Sequence, residues 1–309
     1  IDLFKSKESI QEQLAPILTE DRVFAHFYYG EIMDFIDSKA LEAAKEKVQK
    51  AQGQVLIYGF GATLVHPGDV LAYLDMARWE IKNVNIAGVA MAVSEHTVKT
   101  AEIDLFTPEE AEVFDKTVGI KSRHIAPDTM CASDMCQAAG EKLLEELGWE
   151  KESINALIFE SVTGDYRTPP TSCLLQYRMG LSEDCFCVDI PMGCCGCMYA
   201  ITVAGNLLTT GQIKRALVLV GDTALRMGSM KDKSRVPLFG DGGTALALEY
   251  DESANDIIID FHILGKGYEA LMTPHGGFRH PATPESFIYE DFGNGIVRAP
   301  YHTMINGMN

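Results

Sequence analysis

The sequence predicts an α/β protein in which a mixed sheet packs around a buried central helix, with a small α/β segment ahead of it. Three observations predict it. From residue 84 on, short apolar runs alternate with segments of helical period, the pattern of strands covered by helices. Residues 186–212 read as strand, tight turn and buried helix. An apolar run ends at Ile190, Pro191, Gly193 and Gly196 follow, and Tyr199, Ala200, Val203, Leu207 and Leu208 then share a helical face. The chain has 309 residues, 47% hydrophobic and 23% charged, which suffices for one large or two ordinary domains with a substantial core.

Taken in order, residues 10–18 and 32–48 read as amphipathic helices, with Ser38 or Asp37 as N-cap for the later part of the second. Residues 55–58 form a short strand, 59–68 a glycine-containing turn, and 70–81 a further helix. A strand, glycine turn and helix can cradle a phosphate. The spacing matches neither G-x-G-x-x-G nor a P-loop, so an ordinary turn is the simpler reading. His26 and His66 stand alone and suit local hydrogen bonds better than metal ligation. No Pro/Ser-rich linker follows, and the helical pattern stops near Lys82, so residues 1–82 and 83–309 are expected to be separate units.

Beyond that point the pattern predicts a strand at 86–93, helices near 107–116 and 133–147, a strand at 154–161 and a helix at 170–179. A strand at 185–190, a helix at 194–211 and strands at 215–221 and 243–250 complete it.

The turn at 191–196 is where chemistry is expected. A turn of this kind presents a side chain at a helix N-terminus, where unpaired N–H groups and the helix dipole favour an anion. A cysteine there is armed as a nucleophile. Cys194, Cys195 and Cys197 all compete for the role, and the alternative is that all three are small buried hydrophobes. A metal site is disfavoured, because C-C-x-C lacks the paired C-x2-C spacing of zinc sites.

The net charge of −18 argues against nucleic acid or an anionic membrane as partner. An acidic carrier protein would need a local basic patch, and Lys214, Arg215, Lys231, Lys233 and Arg235 are the candidates; a solvated loop and helix end is the competing reading. No stretch reaches 18 consecutive apolar residues, and the first residues have no signal-peptide pattern. Five of the eight cysteines fall between 185 and 197, a clustering that favours free thiols in a reducing compartment, hence the cytoplasm.

The wording of the sequence goes further than its periodicity. V-D-I-P-M-G-C-C-G-C-M-Y-A-I resembles the active-site segment of the ketoacyl-ACP synthase III family, usually close to F-D-I-x-x-A-C-A-G-F-x-Y-A-L, with Asp189, Gly196, Tyr199 and Ala200 in step. Residues 119–125 (G-I-K-S-R-H-I) resemble the family's G-I-x-x-R-H-I. Residues 143–149 with 154–159, 171–176, 217–223 and 239–245 (F-G-D-G-G-T-A) resemble later segments in family order, so the likeness covers roughly 84–309. Residues 56–81 look like the N-terminal region of long bacterial mannose-6-phosphate isomerase proteins.

The synthase resemblance implies the first half of a thiolase fold, in which two similar halves stack their sheets around buried helices. It implies a 3-oxoacyl-ACP synthase III-like acyltransferase that condenses an acyl thioester with malonyl-ACP through an acyl-cysteine. The nucleophile falls on Cys194, whose own N–H supplies one oxyanion donor. The family's enolate-stabilising His and Asn, and its second oxyanion donor, come from a second half, which has no counterpart before Asn309. His275, His280 and His302 read as loop histidines. Acylation of this chain is therefore expected, and condensation by it alone is not. Many relatives clamp the coenzyme A adenine with a Trp and an Arg; Val113 and Thr117 stand there instead, so no coenzyme-binding residues are assigned. The implied partners are an acyl-CoA or acyl-ACP donor, malonyl-ACP, acyl carrier protein and a second copy in a homodimer, with no cofactor or metal. The alternative is a non-catalytic acyl-binding or assembly subunit that needs a partner supplying the second half.

Overall fold

Side chains alternate along a strand, so a sheet covered on both faces must carry apolar residues at successive positions. Ala156–Glu160 is such a strand, buried at all of its positions. A computed structural model describes residues 6, 9, 36–50 and 78–306 of the chain.

The chain divides into two compact units, Ile1–Asp75 and Met76–Asn309. In the first, helix α1 spans Ser38–Lys50. Asp37 is its N-cap, its Oδ1 accepting hydrogen bonds from the N–H groups of Lys39 and Ala40. The helix and strand expected at 10–18 and 55–58, the turn at 59–68, His26 and His66 all lie outside the described residues.

The second unit contains β1 (Arg78–Ile81), β2 (Val84–Ala92), β3 (Thr97–Lys99), α2 (Pro108–Val118), β4 (Ser122–His124), α3 (Ala132–Leu147) and β5 (Ala156–Glu160). Helix α4 (Thr171–Met179), β6 (Phe186–Ile190), α5 (Gly196–Thr209), β7 (Arg215–Thr223), β8 (Asp241–Tyr250) and β9 (Ile257–Asp260) follow. Residues 78–81 are thus a strand, not the end of the helix expected at 70–81. They pair antiparallel with β9, and Ile81 and Ile259 enter one core together, so tertiary pairing overrides the helical period.

Five strands form the mixed sheet in the order β2-β8-β7-β5-β6. β2, β8 and β7 are antiparallel neighbours, while β7, β5 and β6 run parallel. Parity sorts the side chains between two cores. Leu157, Phe159, Leu217, Leu219, Ala245 and Ala247 pack with α3 and α4 on one face. Ala156, Ile158, Ala216, Val218, Leu246 and Leu248 meet α5 on the other. Helix α5 is buried along Ala200, Ile201, Ala204, Gly205 and Leu208, with Val203 and Leu207 packed at the edge of that core. It is the central helix the sequence predicts.

After β9 the regular layers stop. Residues 261–306 form two-residue strands and short 3-10 turns. Many of their apolar side chains are exposed, Ile263, Tyr268, Phe278 and Phe292 among them.

Candidate active site

Strand β6 delivers the chain to the site, and Asp189 fixes how. The face of β6 that carries Asp189 is turned toward the start of α4, which begins after Pro170 with free backbone N–H groups. Asp189 caps them, accepting from Thr171 N at 2.6 Å and Ser172 N at 2.8 Å. Its neighbours Val188 and Ile190 point the opposite way, to the core under α5.

Past Ile190 the chain turns at Met192 and Gly193. Gly193 has φ +67°, a left-handed conformation that costs other residues energy. Gly193–Cys195 is a 3-10 turn, so α5 itself starts at Gly196, two residues later than the sequence pattern places it. Cys194 is exposed on that turn, at the N-terminal end of α5 where free N–H groups favour an anion. Cys195 is exposed too, its Sγ 3.9 Å from the Met192 carbonyl oxygen. Cys197 is half-buried in the first helical turn, and burial, with the Glu160 charge nearby, pushes its thiol up. That environment works against a Cys197 thiolate.

Under the turn lies Glu160, the last residue of β5, which sequence reasoning missed. It is 2% exposed, and its Oε1 is buried without a hydrogen-bond partner. Burial and then the neighbouring Asp222 push its carboxyl up to about 7, against a downward pull from the backbone N–H groups of Gly193 and Met192. A Cβ on Gly196 would stand only 2.0 Å from Oε1, so the first residue of α5 must be glycine for the helix to sit on this carboxyl. A detectable signal was present: in A-L-I-F-E, an acid ends an otherwise apolar strand.

Asp222, near the end of β7, is fully engaged. Its Oδ1 accepts from Ser161 Oγ (2.9 Å), Val162 N (2.9 Å), Thr163 N (3.2 Å) and Thr163 Oγ1 (2.9 Å). This ties down the loop after β5, from which Val162 reaches toward Gly193.

The profile of the family described as 3-oxoacyl-acyl-carrier-protein synthase III matches residues 188–267, from β6 through α5 to just beyond β9. A beta-ketoacyl-acyl-carrier-protein synthase III of Desulfitobacterium hafniense is 29% identical over 205 residues, 66% of this chain and 62% of that protein. One from Solibacter usitatus is 36% identical over 172 residues, 54% of this chain and 52% of that protein. The crystal structure of a 3-oxoacyl-acyl-carrier-protein synthase from Burkholderia xenovorans superimposes with a TM-score of 0.63 at 37% identity, covering 65% of this chain and 58% of that one. A 3-oxoacyl-acyl-carrier-protein synthase III structure gives a TM-score of 0.69 at 28% identity, covering 73% and 68%.

The second unit is similar in sequence and in fold to the thiolase-like condensing enzymes. The chain spans about 62% of the length of the first synthase relatives it matches. The profile that matches residues 1–101 is that of a domain of unknown function. The expected likeness to mannose-6-phosphate isomerase proteins is therefore not borne out.

Within this unit the remaining expected residues separate. The five basic candidates do not make a free patch. Arg235 is 2% exposed, donates to the Ala224 and Leu225 carbonyls and lies over the Phe239 ring. Arg215 stacks on Trp149 and donates to Ser153, Lys233 pairs with Glu110, and Lys214 and Lys231 lie over Tyr250 and Tyr289. His275 meets Ser286 Oγ and stacks on His280, while His302 Nδ1 accepts from Ala299 N. All three histidines are local fasteners. Val113 is exposed on α2, and Thr117 one turn later donates to its carbonyl. Among the described residues no helix is long and apolar enough to cross a membrane.

Proposed function

We propose that residues 83–309, together with the β1 strand paired to β9, form the first half of a 3-oxoacyl-ACP synthase III-like acyltransferase with Cys194 as the acyl-accepting nucleophile, the residues before Met76 being a separate segment of unassigned role. The observation that supports this most is the exposed Cys194 thiol on the turn between β6 and α5, at the position of the family's nucleophile. In the first half-reaction the Cys194 thiol gives its proton to solvent, and the thiolate attacks the carbonyl carbon of an acyl-CoA or acyl-ACP. The new C–S bond forms as the carrier's C–S bond breaks, and the carrier leaves as a thiol after taking a proton from solvent. In the second, a malonyl-ACP unit loses carbon dioxide, its carbanion attacks the acyl-Cys194 carbonyl, and the Cys194 thiolate departs. The enolate of that step needs donors beyond the elbow, which the family pattern draws from a second half.

The cytoplasm suits eight cysteines that are all free. A homodimer suits the open edge of β6, where Phe186 is exposed. Intact-mass measurement before and after incubation with short acyl-CoA and acyl-ACP donors, followed by peptide mapping, tests the reading. One acyl adduct confined to Cys194 supports it, and absence of any adduct overturns it.

A second reading, a non-catalytic acyl-binding or assembly subunit, is favoured by the exposed apolar side chains of residues 261–306. It predicts no adduct and a stable complex with a complete synthase on gel filtration.

A further inference from the structure

The reading above uses Cys194 and leaves a buried acid beneath it without a role. We propose that Glu160 is a positioning residue for the elbow: its carboxyl forms the floor on which Met192–Gly196 rests, and its charge state sets the reactivity of Cys194. The inference rests on the assignment of Cys194 as nucleophile.

The geometry carries it. Strand parity puts Glu160 on the α5 side of the sheet, in the row of Ala156 and Ile158, where every other member is an apolar core residue. A carboxyl in such a row is unfavourable unless it is paired or neutral. Among the described residues no cation pairs with it; the Gly193 and Met192 backbone N–H groups meet the carboxyl, and Oε1 is left without a hydrogen-bond partner. Nor is there room for it to withdraw, because it fills the space a side chain at residue 196 would need. The titratable groups within electrostatic reach of it are Asp222 from β7, Cys197 from α5 and, from the opposite face of the sheet, Cys136 of α3. Burial is the first cause that pushes the Cys136 thiol up to about 12, so it stays neutral. Asp222 is the carboxylate among them, already held by its four donors.

The consequence has a definite sign. With Glu160 protonated, the elbow carries no charge beneath it and the helix N-terminus acts on the thiol alone. Once Glu160 ionises, at a pH of about 7, a like charge sits under the forming thiolate and opposes it. The rise of Cys194 reactivity with pH therefore bends downward through the neutral range, where a lone thiol would keep climbing.

The test uses the full chain and its Glu160→Gln variant. Iodoacetamide alkylation rates are measured from pH 5.5 to 9, with peptide mapping to locate the label, alongside infrared spectra of the unaltered protein across the same range. The unaltered chain is expected to show the bend, and its infrared spectrum a protonated-carboxyl band that disappears as pH rises through about 7. Glu160→Gln should remove the bend, match the unaltered rate below pH 6, and react on the order of 3- to 10-fold faster at pH 8. Superimposable profiles for the two proteins would overturn the proposal. So would an infrared spectrum without a carboxyl titrating near neutrality, which decides the matter even if the variant does not fold. Label on Cys197 or Cys195 with the bend still abolished by Glu160→Gln would sustain the role of Glu160 and instead overturn Cys194 as nucleophile.

Discussion

Asp222 and Glu160 are two carboxylates near the same end of neighbouring parallel strands, Glu160 pairing with Val220 two residues before Asp222. Asp222 gathers four donors on one oxygen, whereas Oε1 of Glu160 is buried with none. One organises a loop, and the other has its carboxyl pushed up to about 7, first by burial. The difference teaches that burial by itself does not decide what an acid does in a core; the donors that reach it do.

The largest expected effect comes from breaking the satisfied member. Asp222→Ala strands the donors of residues 161–163 and should lower the unfolding free energy by about 3–5 kcal/mol, read from urea denaturation. A loss below about 1 kcal/mol would mean that the loop finds water as readily as it finds Asp222.

Glu160 gives the next effect, with the opposite pH dependence to an ordinary paired acid. Its carboxyl is raised from 4.5 to about 7 in the folded chain, so between those values the folded state holds the extra proton. Stability is then full below pH 4.5, falls through this window and is lost above about 7, by on the order of 3 kcal/mol. Thermal melts at pH 5 and 8 should separate for the unaltered chain and converge for Glu160→Gln. Equal separation in both would break the contrast between the two acids.

Gly196→Ala sharpens the contrast sterically. The added methyl meets the Glu160 carboxyl and should cost about 1–3 kcal/mol with slower Cys194 alkylation. Truncating Glu160 to Ala in the same chain should recover most of both. The smallest effect is Asp189→Ala, which removes the cap of α4 and should cost about 1 kcal/mol in the same denaturation assay.

The sheet and its central helix were legible because apolar runs and helical periods are local signals. So was the elbow, since Pro191, Gly193 and Gly196 lie between two such runs. Residues 78–81 were misread because what makes them a strand is Ile257–Asp260, far away in the chain. Arg235 was misread as a surface cation for a similar reason: its burial depends on the Ala224 and Leu225 carbonyls and the Phe239 ring closing around it. Choosing Cys194 over its two neighbours needed the family likeness, and exposure separates it only from Cys197. Glu160 was visible as an acid at the end of an apolar strand, but the unsatisfied burial of its Oε1 is a property of three dimensions alone.

The cap that Asp189 makes on α4 has a consequence for how this region tolerates insertions and deletions. Along β6, Cys187 and Asp189 face α3 and α4 while Val188 and Ile190 face α5. One residue added within the strand would exchange the two sets, driving a carboxylate into the α5 core and withdrawing the cap. Two residues added would restore the phase and only lengthen the arm that presents Cys194. Asp189 thus acts as an indexing pin, and length changes in β6 should survive only in even steps.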